Sequence, residues 1–192
     1  MSLPAPWLLS ARLSLRRFVA DDLQRLAGWY GDAHVARHVG GIKTPEQCAT
    51  LLHTRILADY ERHPGLGMWL TCRRSDGLPL GFHLLCHVRG ESHIQVGYVL
   101  GRSHWGQGYA TEMALALLHY GFAVRTLPRV CAIADCDHGA SLRVLEKCGL
   151  RRDGERVFAQ YGPTPLAWFE AARAAWLARH AQTDLCIEPA RA

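Results

Sequence analysis

The 192-residue chain has no apolar run approaching the roughly 18 residues a membrane-spanning helix requires. Its start, Met1-Ser2-Leu3-Pro4, lacks the basic and apolar segments of an export signal, so the expected location is the cytoplasm, with no membrane partner. Seven cysteines (Cys48, Cys72, Cys86, Cys131, Cys136, Cys148 and Cys186) are scattered, odd in number and without a C-x-x-C pair, a pattern of reduced thiols rather than disulfides or zinc ligands. The net charge of +5 comes from dispersed arginines with no basic stripe. Nucleic acid is therefore not an expected partner, whereas a small anionic ligand is. Neither an internal repeat nor a low-complexity linker interrupts the chain. At this length, with 49% hydrophobic residues, it suits one well-buried core and a single domain over residues 1–192.

What is present centres on one stretch. Ile94-Gln95-Val96-Gly97-Tyr98-Val99-Leu100 alternates as a strand does, and Ala110, Met113, Ala114, Leu117 and Leu118 recur at helical spacing. Between them, Gly101, Gly106 and Gly108 mark a strand-to-helix turn. Glycines let backbone approach a ligand closely, and the first N–H groups of a helix lack intrahelical partners, so such a turn can hold an anion without Lys or Arg. It can equally be a tight turn that packs a helix on a sheet. Tyr109-Ala110 follows the last glycine, where a P-loop needs Lys-Ser/Thr, and Thr111 stands where the dinucleotide fingerprint needs its third glycine.

Elsewhere Leu13 to Phe18 reads as a strand, and Leu23, Leu26, Ala27 and Tyr30 as a helix capped by Asp21 and ending near Gly31. The connection from Asp32 to Gly41 carries His34 and His38, four apart. No Glu or Cys accompanies them, and zinc needs three or four ligands, so no metal is expected. Thr44-Pro45-Glu46-Gln47 is a capping-box start for a helix to about Arg62. An antiparallel meander follows: Gly67–Arg73, Leu80–Val88 and Ser92–Leu100, with His83 and His87 half-buried on one face. The helix after the glycines is expected to reach Val124. Val130–Ala134 reads as a short strand, Ala140–Cys148 as a helix closed by Gly149, Leu150–Val157 as a strand, Arg173–His180 as a helix, and residues beyond Gln182 as a loose tail. Leu166 to Ala172 is ambiguous between strand and helix.

Trp105-Gly106-Gln107-Gly108-Tyr109-Ala110-Thr111-Glu112 resembles the acetyl-coenzyme A pyrophosphate loop of the GNAT acetyltransferases, in the form of the ribosomal-protein (Rim-type) branch. Three further blocks are similar in the same order: Ala11 to Phe18 with Asp21-Asp22, Ile94 to Leu100, and Ala140 to Leu150. The likeness spans about residues 10–172. It implies an α/β (α+β) GNAT fold: a mixed, mostly antiparallel sheet splayed into a V, with helices on both faces and Leu166–Ala172 as its last strand. It further implies an acetyl-coenzyme A-dependent N-acetyltransferase acting on a primary amine, a protein N-terminus in the Rim-type branch, by a monomer or homodimer. Small-molecule amines and a non-catalytic acyl-coenzyme A sensor stay open.

By that resemblance the co-substrate contacts Tyr98, Val99, Leu100, Gly101, Trp105, Gly106, Gln107, Gly108, Tyr109, Ala110, Thr111, His138 and Ser141, while Arg37 and His38 face the acceptor. A bulge common in the family would free the N–H near Val99 or Leu100 for the thioester oxygen. Two positions depart from the pattern: Leu145 stands where many relatives have a tyrosine acid, and His138 where many have asparagine. Ser141 is retained as the hydroxyl nearest the sulfur, with His138 as an alternative acid or base. No acidic residue is singled out as base. Glu112, on the first turn of the loop helix, is assigned to structure.

Overall fold

The computed structural model describes residues 5–181 and 188–189. The chain begins with a short strand β1 (Leu8–Leu9) and β2 (Leu13–Arg17), followed by helices α1 (Leu23–Gly31) and α2 (Ala33–Ala36). The one-turn α2 forms inside the expected connection because the Asp32 side chain accepts from the N–H groups of His34 (2.8 Å) and Val35 (3.4 Å). Helix α3 (Pro45–Leu51) starts on the expected capping box, Gln47 Oε1 accepting from Thr44 N at 2.9 Å and Thr44 Oγ1 from Gln47 N at 3.3 Å. It runs through a π-helical turn, Leu52–Leu57, into α4 (Ala58–Arg62). The Thr50 and Thr54 hydroxyls donate to carbonyls one turn back beside that widened segment.

Strands β3 (Gly67–Arg73), β4 (Pro79–His87) and β5 (Ile94–Leu100) form the meander, and α5 (Tyr109–His119) continues as a π-helical turn, Tyr120–Val124. Then come β6 (Arg129–Asp135), α6 (Gly139–Lys147), β7 (Arg151–Arg156), β8 (Leu166–Ala172), α7 (Arg173–His180) and β9 (Glu188–Pro189). The expected tail beyond Gln182 lies outside the described residues except for β9, which pairs antiparallel with β1.

The sheet runs β7-β8-β6-β5-β4-β3-β2-β1-β9. Every neighbouring pair is antiparallel except β5 and β6, which are parallel and meet at a single register pair, Gln95↔Cys131. Past that pair they separate. This is the expected splayed α/β sheet, with α5 and α6 following the two diverging strands.

The anticipated bulge is absent: β4 and β5 stay in continuous register from His87↔Ile94 to Gly81↔Leu100, and the irregularity lies between Thr71 and Cys72 of β3. Gly81 permits this. At φ +155°, a Cβ there would stand 2.1 Å from the Val99 carbonyl oxygen. Trp69, Phe18, Phe82, Phe122, Phe169 and Trp176 fill the core, alongside a buried ion pair in which Arg16 donates to both Asp22 oxygens at 2.7 and 2.8 Å. His83 is not half-buried but fully enclosed. It is hydrogen-bonded to Thr71 Oγ1 at 2.7 Å, and burial pushes its imidazole down to about 3, so it is neutral and structural.

Candidate active site

The glycine turn has the geometry of an anion cradle. Gly106 and Gly108 take left-handed conformations at φ +74° and +79°, and Gly108 is the N-cap of α5 without a side-chain cap. Among the described residues, the N–H groups of Gly106, Gln107, Gly108, Tyr109, Ala110 and Thr111 have no protein acceptor, the first helical bond being Glu112 N to Gly108 O at 3.0 Å. They sit at the positive end of an 11-residue helix. Trp105 latches the turn, donating its indole N–H to Leu100 O at 2.8 Å, and Gln107 donates to Ser103 O at 3.1 Å. Gly101 differs from the expectation: its N–H is taken by Leu80 O at 2.8 Å, so it ends the β4–β5 ladder and offers no free donor.

That same bond fixes which β5 groups are free. Backbone N–H and C=O groups alternate sides along a strand, so Val99, like Gly101, faces β4, whereas Val96, Tyr98 and Leu100 face the gap. The Val99 N–H thus belongs to the ladder and its side chain is buried, so it is not the free main-chain donor expected near this position. The Leu100 carbonyl, facing the gap, is the one Trp105 caps. The gap narrows where the Tyr98 phenol meets α6, with Tyr98 Oη 3.0 Å from Ser141 Oγ and donating to Ser141 O at 3.2 Å. Burial pushes the Tyr98 phenol well above its usual range, so it stays a protonated donor. Leu145, in place of the familiar tyrosine, is buried in the core.

His138 is the N-cap residue of α6, and its ring stacks on His38 at 3.9 Å between centroids and 10° between planes. Burial first, then the neighbouring His38, lowers its imidazole against the opposing pull of Asp135 and Asp137, leaving it a neutral ring at pH 7 and a poor acid. His38 Nδ1 lies 2.7 Å from Asp135 Oδ2 and 3.8 Å from Asp137 Oδ1, and Arg37 reaches Asp137 at 3.6 Å. The structure thus brings Arg37, His38 and His138 together at the C-terminal end of β6. His34 stays outside this group, exposed on α2. The donor atoms of His38, Asp135 and Asp137 lie within 4.8 Å of one another, so the ligand set with metal-like spacing joins His38 to two aspartates instead of to His34.

Comparison with known proteins matches this architecture. The profile of the family described as "Acetyltransferase (GNAT) domain" covers residues 12–151. The chain belongs to the GNAT acetyltransferase family. A curated relative, the uncharacterized N-acetyltransferase YoaA of Bacillus subtilis (strain 168), is 30% identical over 162 residues, 81% of this chain and 88% of its own. The fold is shared with aminoglycoside acetyltransferase AAC(6')-Ib in complex with coenzyme A, at TM-score 0.73 and 16% identity over 88% of this chain and 99% of that one. It is shared also with the ribosomal-protein-S5-alanine acetyltransferase of Vibrio fischeri, at TM-score 0.68 and 17% identity over 86% and 95%. The protein is thus an acyltransferase of the GNAT family, and its fold neighbours include enzymes named for small-molecule and for protein acceptors. No helix among the described residues is long and apolar enough to cross a membrane.

Three features of this GNAT enzyme escaped the sequence. Arg12 sits over the Tyr109 ring at 4.7 Å, with Nη2 3.4 Å from where a Gly108 Cβ would be, placing a cation beside the turn. Glu112 holds it, accepting from Ser10 Oγ, Arg12 N and Arg12 Nε at 2.7 Å each, which confirms a structural role for Glu112 and extends it. Asp135 and Asp137, the other two, lie at the end of β6 and in the turn that precedes α6.

Proposed function

We propose that this enzyme transfers the acetyl group of acetyl-coenzyme A to a primary amine, and that its acceptor is the N-terminal amine of a protein. The observation that carries the reading is the single-pair junction of β5 and β6. Beyond it Tyr98 and the N–H of Leu100 on the β5 edge have no strand partner among the described residues, and the edge leads to the uncapped turn at Gly106–Thr111. An amide-bearing arm can pair with that edge as an added strand would, while the turn receives a diphosphate. The fit is of size and hydrogen bonding together: a Cβ at Gly106 would meet nothing within 4 Å, leaving the N–H groups open to a ligand, and Arg12, ion-paired with Glu112, brings guanidinium N–H groups beside the turn.

Acetyl-coenzyme A supplies an activated thioester. The gap-facing N–H groups of Tyr98 and Leu100 are placed to stabilise charge growing on its oxygen. The Tyr98–Ser141 hydroxyl pair is the proton source for the departing thiolate, which fits the phenol's retained proton. Holding both reactants in one cleft supplies the rest of the acceleration.

The acceptor preference rests on charge. A hollow of about 560 Å³ lies against β7, β8 and α7, away from the split, but one of about 430 Å³ begins at Gly40, two residues beyond His38. Lys43, Arg55 and Arg89 line it, with no carboxylate among its lining residues. Beyond the carboxylates at His38, such walls repel the further amino groups of a polyamine or aminoglycoside and admit a peptide with neutral or acidic residues behind its amine. Thiol release with acetyl-coenzyme A tests this against a peptide beginning with alanine, its N-acetylated form, spermidine and kanamycin. Release is expected with the free peptide alone. Binding of acetyl-coenzyme A without release for any amine would make the protein a sensor, and release with spermidine or kanamycin alone would reassign the acceptor.

A further inference from the structure

We infer that His38 is the general base that takes the proton from the attacking amine, with Asp135 as the residue that positions it. The inference rests on the amine-acetylation reading above. A carboxylate only accepts hydrogen bonds, so the 2.7 Å contact of Asp135 Oδ2 with His38 Nδ1 places a proton on Nδ1, and the tautomer this selects carries its lone pair on Nε2. The ring cannot turn freely, since one face is stacked on His138 at 3.9 Å. The charged and titratable groups around it come from three segments: Arg37 on its own segment, Asp135 at the end of β6, and Asp137 and His138 in the turn before α6.

Asp137 Oδ1 lies 3.8 Å from the same nitrogen, with Arg37 3.6 Å from its other oxygen. Position links the dyad to the chemistry. His138 opens the helix whose first turn carries Ser141, and Ser141 meets Tyr98 on the free edge of β5, so a base at His38 stands on the acceptor side of the same cleft. Leu145 carries no titratable group, and burial holds His138 below the ordinary imidazole range, which makes it a weakened proton acceptor.

The step balances without any other reactant. The amine nitrogen forms the C–N bond as His38 Nε2 takes one N–H proton. The C–S bond breaks, and the thiolate takes a proton from the Tyr98–Ser141 pair. The imidazolium then returns its proton through water to that pair, leaving amide, free thiol and the starting enzyme.

The test uses the full chain with acetyl-coenzyme A and the alanine-leading peptide, reading kcat/KM across pH. In His38→Gln, kcat is expected to fall at least a hundredfold, acetyl-coenzyme A affinity to stay within threefold, and the acidic limb of the profile to vanish. Imidazole should restore part of the rate to His38→Ala, and Asp135→Asn should lose about tenfold while keeping a shifted limb. Long-range nitrogen–proton spectra of the wild-type protein should show His38 protonated at Nδ1. An acidic limb unchanged in His38→Gln, or an Nε2-protonated ring, overturns the inference while wild-type turnover leaves the acetyltransferase reading standing. Activity abolished by a chelator and restored by zinc overturns it in favour of a metal on His38, Asp135 and Asp137. A wild-type protein that releases no thiol with any amine overturns both.

Discussion

Replacing Gly106 by valine separates the cost of folding from the cost of binding. Gly106 has φ +74°, and a Cβ there would meet no heavy atom within 4 Å, so the turn has room for the branch point of a side chain in the free protein. Its cost is the left-handed backbone itself, about 1–2 kcal/mol for a residue bearing a Cβ. In a domain of this size that lowers Tm by roughly 2–8 °C, at about 2–4 °C per kcal/mol. Binding is affected more. The turn offers unpaired N–H groups, and hydrogen bonds to a charged group contribute about 1.5–3 kcal/mol each. Displacing a phosphate from two of them weakens affinity by roughly a hundredfold to ten-thousandfold, at 1.4 kcal/mol per factor of ten. Calorimetry with coenzyme A against a thermal melt reads both quantities, with pantetheine as a control because it lacks the diphosphate. Gly108→Val, whose Cβ would also approach Arg12 Nη2 at 3.4 Å, should behave alike with a larger melt shift. Wild-type coenzyme A affinity in both variants would refute the assignment of the turn.

Ser141→Ala and Tyr98→Phe should each lower turnover at least tenfold while leaving acetyl-coenzyme A affinity within threefold, because the hydroxyls 3.0 Å apart act on the leaving sulfur and not on the diphosphate; unchanged turnover in both removes the pair from the mechanism. Burial raises the Asp22 carboxyl, but the Arg16 hydrogen bonds and the Val19 N–H outweigh it and hold the group below its usual range. A carboxylate depressed in the folded state contributes stability that is present above its unfolded pKa of about 3.9 and lost as pH falls through the lower folded value, so urea midpoints should drop steeply in acid. Asp22→Asn should cost about 3–5 kcal/mol at pH 7 by stranding Arg16, and should flatten that acid limb. Gly81→Ala should cost about 3 kcal/mol or more in a denaturant melt, since its Cβ would stand 2.1 Å from the Val99 carbonyl and push β5 off register.

The sequence alone determined those elements whose cause is local. The glycine turn, the Thr44–Gln47 capping box, and the alternating run from Ile94 to Leu100 are written in neighbouring residues, and each formed as expected. Leu166 to Ala172 was not settled by periodicity, because a strand largely covered on both faces loses the polar alternation; its register against β6 and β7 made it a strand. Which N–H groups of β5 are free depended on the β4 register and on Gly81, and so Val99 passed from the cleft to the ladder. The contact of His38 with Asp135 joins residues 97 apart. No spacing records such a pair: it exists because a parallel strand and a loop from the far side of the sheet are brought to one end of the split. What the sequence specified was the cradle; what only the tertiary structure decided was which side chains face each other across it, since that depends on strand order and register and not on any short-range pattern.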